Sequence, residues 1–240
     1  MHAKSIIITG ANSGVGKATA YYLATRGVKV FLIARRSGPL DEVVVAIQRA
    51  GGIAFAYAAD LSDYTQVQSA FVSADERLGC LDALVNCAAV PANNIFNTSV
   101  GEWPGVIAAN LTASMYCCKE AVERMRLGGR GQIINIGSLC IRVLDNGCDL
   151  YVATKSGIAG FTASLRKEIA GDNIVVTLIN PGQIASGMVS ESKIQKEAAV
   201  EQFTMLMPED VAEAIVYCLG QPERVAITEL ELRPRKQMGL

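Results

Sequence analysis

Tyr151 and Lys155 stand four residues apart in a stretch of helical period. Residues at i and i+4 share a helix face, so a phenol and an ammonium group can meet in one cleft. The ammonium favours the phenolate, and the expectation is a lowered tyrosine pKa. Ser138 stands thirteen residues before Tyr151, at the end of an apolar run, where its hydroxyl can donate to an oxygen gaining negative charge. That set suits proton transfer in carbonyl reduction or alcohol oxidation. The one histidine is His2, so a Ser-His-Asp triad, a Cys-His pair or a His-rich metal site would have to recruit a residue beside the chain start. No metal site is expected. Taken alone, the Tyr/Lys pair also fits a solvated helix face next to an unrelated serine.

A second chemical signal precedes these residues. Ile6-Ile7-Ile8-Thr9 runs into Gly10-Ala11-Asn12-Ser13-Gly14-Val15-Gly16, and a helical stripe of Ala20, Leu23 and Ala24 follows. Strand, glycine turn and helix in that order let a pyrophosphate approach backbone N–H groups at the positive end of a helix. The turn reads as a dinucleotide site. A tight turn between two packed elements is the plainer alternative. Residues 11–18, A-N-S-G-V-G-K-A, also approach a nucleoside triphosphate loop, but Ala11 replaces its first glycine and Ala18 its magnesium-binding hydroxyl.

The elements that must hold these groups are legible from periodicity. Short β-branched runs at 5–9, 29–33, 53–58, 83–86, 132–136, 174–179 and 225–232 alternate with helical segments, the pattern of a parallel α/β sheet. Ser99 and Glu102 form an S-x-x-E capping box that opens a helix carrying Asn110, and Pro208, Glu209 and Asp210 open a later one. Between Pro181 and Pro208 no clear period is visible, and in a compact domain such a segment is commonly a lid or binding loop.

With 240 residues, 50% of them hydrophobic, the chain is expected to form one domain that buries its sheet on both faces, and disorder is excluded. Lys and Arg number 22 against 23 Asp and Glu, which leaves no electrostatic basis for a nucleic-acid or acidic-membrane surface. A small molecule or a further copy of the chain is the expected partner. The seven cysteines are odd in number and contain no C-x-x-C pair, so neither a disulfide framework nor a zinc knuckle is supported. The first strand begins near Ser5 without a signal peptide, and no apolar run approaches the roughly 18 to 20 residues that span a bilayer. A soluble cytoplasmic protein is expected.

The ordered set Thr9-Gly10-x-x-x-Gly14-x-Gly16, Asn86-Cys87-Ala88-Ala89, Asn110, Ser138, Tyr151-x-x-x-Lys155 and Pro181-Gly182 resembles the classical short-chain dehydrogenase/reductases over essentially the whole chain. Cys87-Ala88-Ala89 departs from the family's usual Asn-Ala-Gly, and Ser186 stands where Thr is usual. The resemblance implies a doubly wound Rossmann-type α/β fold with a seven-stranded parallel sheet. It also implies a catalytic set of Asn110, Ser138, Tyr151 and Lys155, with Asn110 holding a water that links Lys155 to solvent. Cofactor contacts would come from Gly10, Asn12, Ser13, Gly14, Val15, Gly16, Asn86, Ala88, Tyr151, Lys155, Pro181, Gly182, Ile184 and Ser186, and Lys155 would reach the nicotinamide ribose. Asp60 would accept from the adenine amino group and Leu61 would cover the ring, although Asp60 also fits a plain helix-entry residue. NAD enzymes of this kind place an acid at the end of the second strand, whereas this chain has Ala34-Arg35-Arg36. Removing the carboxylate and adding guanidinium groups favours the 2′-phosphate of NADP(H) over NAD(H), unless Arg35 and Arg36 are only solvated loop charges. Residues 183–207, with 139–150 opposite, would wall the substrate site. A homodimer or homotetramer is implied as well, and an idle NADP(H)-binding sensor or assembly protein is the competing functional class.

Overall fold

In a computed structural model, the structure describes residues 4–144 and 148–237. Strands β1 (Ser5–Thr9), β2 (Lys29–Ala34), β3 (Ile53–Ala58), β4 (Ala83–Asn86), β5 (Gly131–Ile136), β6 (Ile174–Pro181) and β7 (Glu229–Leu232) form one parallel sheet in the order β3-β2-β1-β4-β5-β6-β7. This is a Rossmann-type doubly wound sheet. The strand order reverses between β1 and β4, and in such sheets a ligand crevice opens at the carboxyl ends beside that reversal.

Both faces are covered, which is why the central strands carry apolar residues without alternation. Ile6, Ile8, Val30 and Leu32 point to one core with helices α1 (Gly14–Ala24) and α2 (Ser37–Arg49). Ile7, Phe31 and Ile33 point to the other, against α3 (Tyr64–Leu78). The period of two thus divides one apolar run between two cores. Cys117 and Cys118 pack in the second core and Cys218 in the first, as small hydrophobes do.

The Ser99–Glu102 capping box forms, with Ser99 N–H donating to Glu102 Oε2 at 2.9 Å. It opens a 3₁₀ turn (Val100–Glu102) that runs into α4 (Trp103–Ile107), a π-helical turn (Ala108–Thr112) and α5 (Ala113–Gly128). A short helix α6 (Cys140–Val143) leads toward α7 (Asp149–Glu168). Past β6 come α8 (Lys193–Glu201) and α9 (Pro208–Leu219), the latter opened by Pro208 as its sequence requires. Among the described residues no helix is long and apolar enough to cross a membrane.

Two expectations need correction. The last strand begins at Glu229 rather than near Val225: Ile227 O accepts from the Thr177 hydroxyl instead of a strand N–H, while Thr228 O accepts from both the Leu178 N–H and the Arg166 guanidinium where pairing with β6 starts. The stretch between Pro181 and Pro208 contains α8, which buries no residue and therefore carries no apolar stripe. Ser192 and Gln195 cap it reciprocally, and that S-x-x-Q spacing was the available signal. His2 lies outside the described residues.

Candidate active site

The glycine turn shows what each glycine is for. Gly10 has φ +65°, and a Cβ there would come within 2.8 Å of the Ala88 backbone. A Cβ on Gly16 would lie 2.5 Å from the Gly10 carbonyl oxygen, so helix α1 can approach β1 closely only without one. Ser13 precedes the first turn of α1 in extended conformation, and its hydroxyl makes no capping bond. Asn12 and Val15 are half-buried beside it. Thr9 Oγ1 accepts from Cys87 N–H at 3.1 Å and Ala88 N–H at 3.2 Å, which ties the exit of β4 to the turn. The cradle, its helix N-terminus and an uncommitted hydroxyl fit a dinucleotide pyrophosphate.

At the neighbouring strand ends Ala34 is buried and Arg35 and Arg36 are exposed; among the described residues neither guanidinium forms an ion pair. Asp60 Oδ1 accepts from Ser62 N–H at 3.0 Å and Ser62 Oγ at 2.7 Å. Those bonds hold its carboxyl below the usual range; partial burial opposes them and the charge of Arg35 assists. Asp60 is thus a turn-forming residue near Arg35, and Leu61 is buried in the second core.

Four strand ends carry buried polar groups. Asn86 Nδ2 donates to Asn135 Oδ1 at 2.9 Å, and Asn135 Nδ2 donates to Thr162 Oγ1 at the same distance. This internal chain commits the Asn86 side chain within the protein. Ser138 N–H donates to Asn180 Oδ1 at 3.1 Å, and Ser138 Oγ accepts from Cys140 N–H at 3.2 Å.

Asn110 lies in the π-helical turn and is buried. Its Oδ1 accepts from Val90 N–H at 2.7 Å, while Nδ2 donates to Val90 O at 2.9 Å and Thr154 Oγ1 at 3.4 Å. A π turn inside a helix commonly marks a functional position. Thr154 lies between Tyr151 and Lys155 on α7, so Asn110 reaches that helix through it. Lys155 Nζ donates to Ile136 O at 2.8 Å and lies 5.6 Å from the centre of the Tyr151 ring. Burial pulls its pKa down to about 8, with the Cys140 and Cys87 thiols opposing that fall.

The expected lowering of the Tyr151 pKa does not arise from the protein's own groups. Burial pushes the phenol above its ordinary range, and Cys140 and Cys148 add to the rise. Lys155 spends its hydrogen bond on a strand carbonyl and sits over the ring.

Pro181 ends β6, and Gly182 N–H donates to Leu232 O at 2.8 Å. Ile184 bridges to Leu206, which pins together the two ends of the loop that contains α8. Ser186 comes back to the glycine turn: a Cβ built on Gly14 would lie 3.7 Å from its Cβ. The chain after β7 also meets this loop, with Lys236 N–H donating to Phe203 O at 2.9 Å and Gln183 N–H to Gln237 Oε1 at 3.2 Å. The reading of the sequence passed over Asn135, Thr154 and Asn180. For Asn135 and Asn180 the signal was a polar residue near the end of an otherwise apolar strand, since a buried polar group must be paired; Thr154, inside α7, carried no such signal.

A nucleotide cradle beside a serine, a tyrosine and a buried lysine defines the class of dinucleotide-dependent oxidoreductases built on a doubly wound sheet. The family model of the short chain dehydrogenases matches residues 4–197, and the chain belongs to that family. It is 33% identical over 99% of its length to a glycine betaine reductase of Emericella nidulans, of which it spans only 19%. Among solved structures it superimposes on a variant of actinorhodin polyketide ketoreductase with NADPH at a TM-score of 0.87, with 26% identity, covering 97% of this chain and 96% of that one. A metagenomic short-chain oxidoreductase in complex with NADP follows at 0.81, with 29% identity and coverage of 96% and 97%.

Proposed function

We propose that this chain is a single-domain NADP(H)-dependent oxidoreductase that interconverts an aldehyde or ketone and its alcohol, with Tyr151 giving and taking the proton. The observation that carries the reading is the gathering of Ser138, Tyr151 and the buried Lys155 at the carboxyl ends of β5 and β6, across from the glycine turn. Two similar solved structures described with NADPH or NADP support the choice of nucleotide.

The residues assigned to the nucleotide are Gly10, Asn12, Ser13, Gly14, Val15 and Gly16 at the pyrophosphate, and Arg35 and Arg36 at the 2′-phosphate. Asp60 and Leu61 lie toward the adenine, and Asn86, Ala88, Tyr151, Lys155, Pro181, Gly182, Ile184 and Ser186 toward the nicotinamide end. When bound, the nucleotide supplies or accepts the hydride. Ser138 Oγ already accepts from Cys140 N–H, so its own proton is available to a substrate oxygen as that oxygen gains charge. Tyr151 delivers the proton to the same oxygen, and the Lys155 ammonium stabilises the phenolate left behind. Asn110, anchored to Val90 and Thr154, occupies the route by which Lys155 recovers a proton from solvent. Residues 183–207, with 139–144 and 148–150 opposite, wall the substrate; positions 145–147 of that expected wall lie outside the described residues.

The protein is proposed to act in the cytoplasm as a dimer or tetramer. Exposed Met115 and Leu127 on α5 support association, and a single 25.5 kDa species in light scattering at micromolar concentration would oppose it. Following NADPH fluorescence with and without a panel of aldehydes and ketones tests the function. Consumption of NADPH with formation of alcohol is expected, and tight binding without turnover of any carbonyl would favour the sensor.

A further inference from the structure

The amide of Ser138 is one link in a closed ring. Its acceptor, Asn180, is fully buried near the end of β6 and donates through Nδ2 to Glu229 Oε1 at 2.7 Å. Arg142 Nη2 donates to the same carboxylate oxygen at 3.0 Å, and Arg142 Nε donates to Glu231 Oε1 at 3.0 Å. Arg142 lies on α6, four residues after Ser138, so the ring returns to the segment it started from. The peptide from Ser138 to Arg142 is gripped at both ends by groups rooted in β6 and β7.

The fit around Asn180 leaves one orientation. Its Oδ1 faces an N–H and its Nδ2 faces a carboxylate, and a flipped amide would set donor against donor and oxygen against oxygen. A side chain at Gly137 would overlap Asn180 Oδ1, so the glycine makes the approach possible. The outer members are half-exposed: the Arg142 side chain keeps 54% of its accessible surface and that of Glu229 40%. Exposed pairs contribute little to stability, so a role in holding geometry accounts for the ring better than a role in holding the fold. A displacement of about 1 Å at a reacting group is enough to lower turnover greatly.

We infer that Asn180, oriented by Glu229 and Arg142, is the positioning residue that fixes Ser138 for donation to the reacting oxygen. This rests on the proposed role of Ser138 in carbonyl reduction, so the test has one arm that needs no turnover. In amide hydrogen exchange, the peptide spanning 137–142 should exchange faster in Glu229→Ala and Asn180→Ala than in wild type. Glu229→Gln, which keeps an acceptor for Asn180 Nδ2, should restore most of the protection. The second arm follows NADPH-dependent reduction of 4-nitrobenzaldehyde. Glu229→Ala and Arg142→Ala should lower kcat several-fold with KM and NADPH binding little changed, and should lower it no further in a Ser138→Ala background. Folded Asn180→Ala or Glu229→Ala protein with unchanged exchange at 137–142 would overturn the inference, as would a full additional loss of kcat in the Ser138→Ala background. If Asn180→Ala fails to fold, Glu229→Ala and Arg142→Ala carry both arms. A wild type that reduces no carbonyl would count against the proposed function, and the exchange arm would still decide whether the ring holds Ser138.

Discussion

The two edges of the sheet present opposite kinds of lysine. At the amino ends of β1, β2 and β3 an open hollow of about 600 Å³ is lined by Lys4, Arg26, Lys29, Ile53 and Val216, and its three charges stand in solvent. At the carboxyl ends Lys155 is 4% exposed, bonded to a strand carbonyl and shifted toward neutrality. The open hollow lies at the amino edge, and the perturbed lysine lies at the other. Taking a titratable group out of water beside fixed dipoles tunes it, whereas volume alone does not. The winding of the sheet explains the asymmetry, because every strand of this parallel sheet delivers its exit loop to the same edge.

The strongest way to break this contrast is at Tyr151. Tyr151→Phe should keep NADPH binding and lose turnover by several orders of magnitude, since the ring's packing survives and the transferable proton does not. Single-turnover kinetics with NADPH titration would separate those effects, and near-normal turnover would remove Tyr151 as the proton donor. Next in size comes the nucleotide preference. A charge-assisted phosphate contact contributes about 1.5 to 3 kcal/mol, so Arg35→Ala should reduce the preference for NADPH over NADH roughly 10-fold to 100-fold. Ala34→Asp should reduce or reverse it. Paired fluorescence titrations check both, and equal binding of the two nucleotides to wild type would return these arginines to the status of solvated charges.

The pH dependence should be milder. Lys155 is charged below about 8 and neutral above it, so the support it gives a Tyr151 phenolate is present at neutral pH and fades as pH rises. Reduction rate should therefore fall above about pH 8, by up to roughly 10-fold per unit. A rate profile flat to pH 10 would contradict the shift. The smallest effect belongs to the amino edge. Lys29→Ala should leave turnover and nucleotide binding unchanged and alter stability by no more than about 0.5 kcal/mol, as surface substitutions do. A large loss of activity there would assign the hollow a role in the reaction.

What the sequence disclosed follows the same division. The glycine turn was legible because close backbone approach restricts residue type at Gly10 and Gly16, and the strands were legible because burial on both faces makes them uniformly apolar. The i, i+4 pair of Tyr151 and Lys155 was legible from helix geometry alone. The groups that position them were not. Asn180 and Glu229 are 49 residues apart and meet only through the register of β6 with β7, and no local spacing encodes that. Helix α8 was hidden for a different reason: it buries no face, and hydrophobic period is the main signal for a helix. The direction of the Tyr151 shift was misjudged because burial, which raises a phenol's pKa, is set by tertiary packing and leaves no mark on the i, i+4 spacing, while the lysine's hydrogen bond goes to Ile136 O.

The central claim is hydride transfer between the nicotinamide and a carbonyl carbon at the carboxyl edge. The most direct measurement uses NADPH carrying deuterium at its transferable ring position, with wild-type protein and 4-nitrobenzaldehyde in ordinary water. The account predicts an alcohol with one deuterium on the carbinol carbon, and none of this product from Tyr151→Phe that still binds the labelled nucleotide. Bound nucleotide with no labelled alcohol from the wild type, or equal labelled alcohol from the variant, would contradict it.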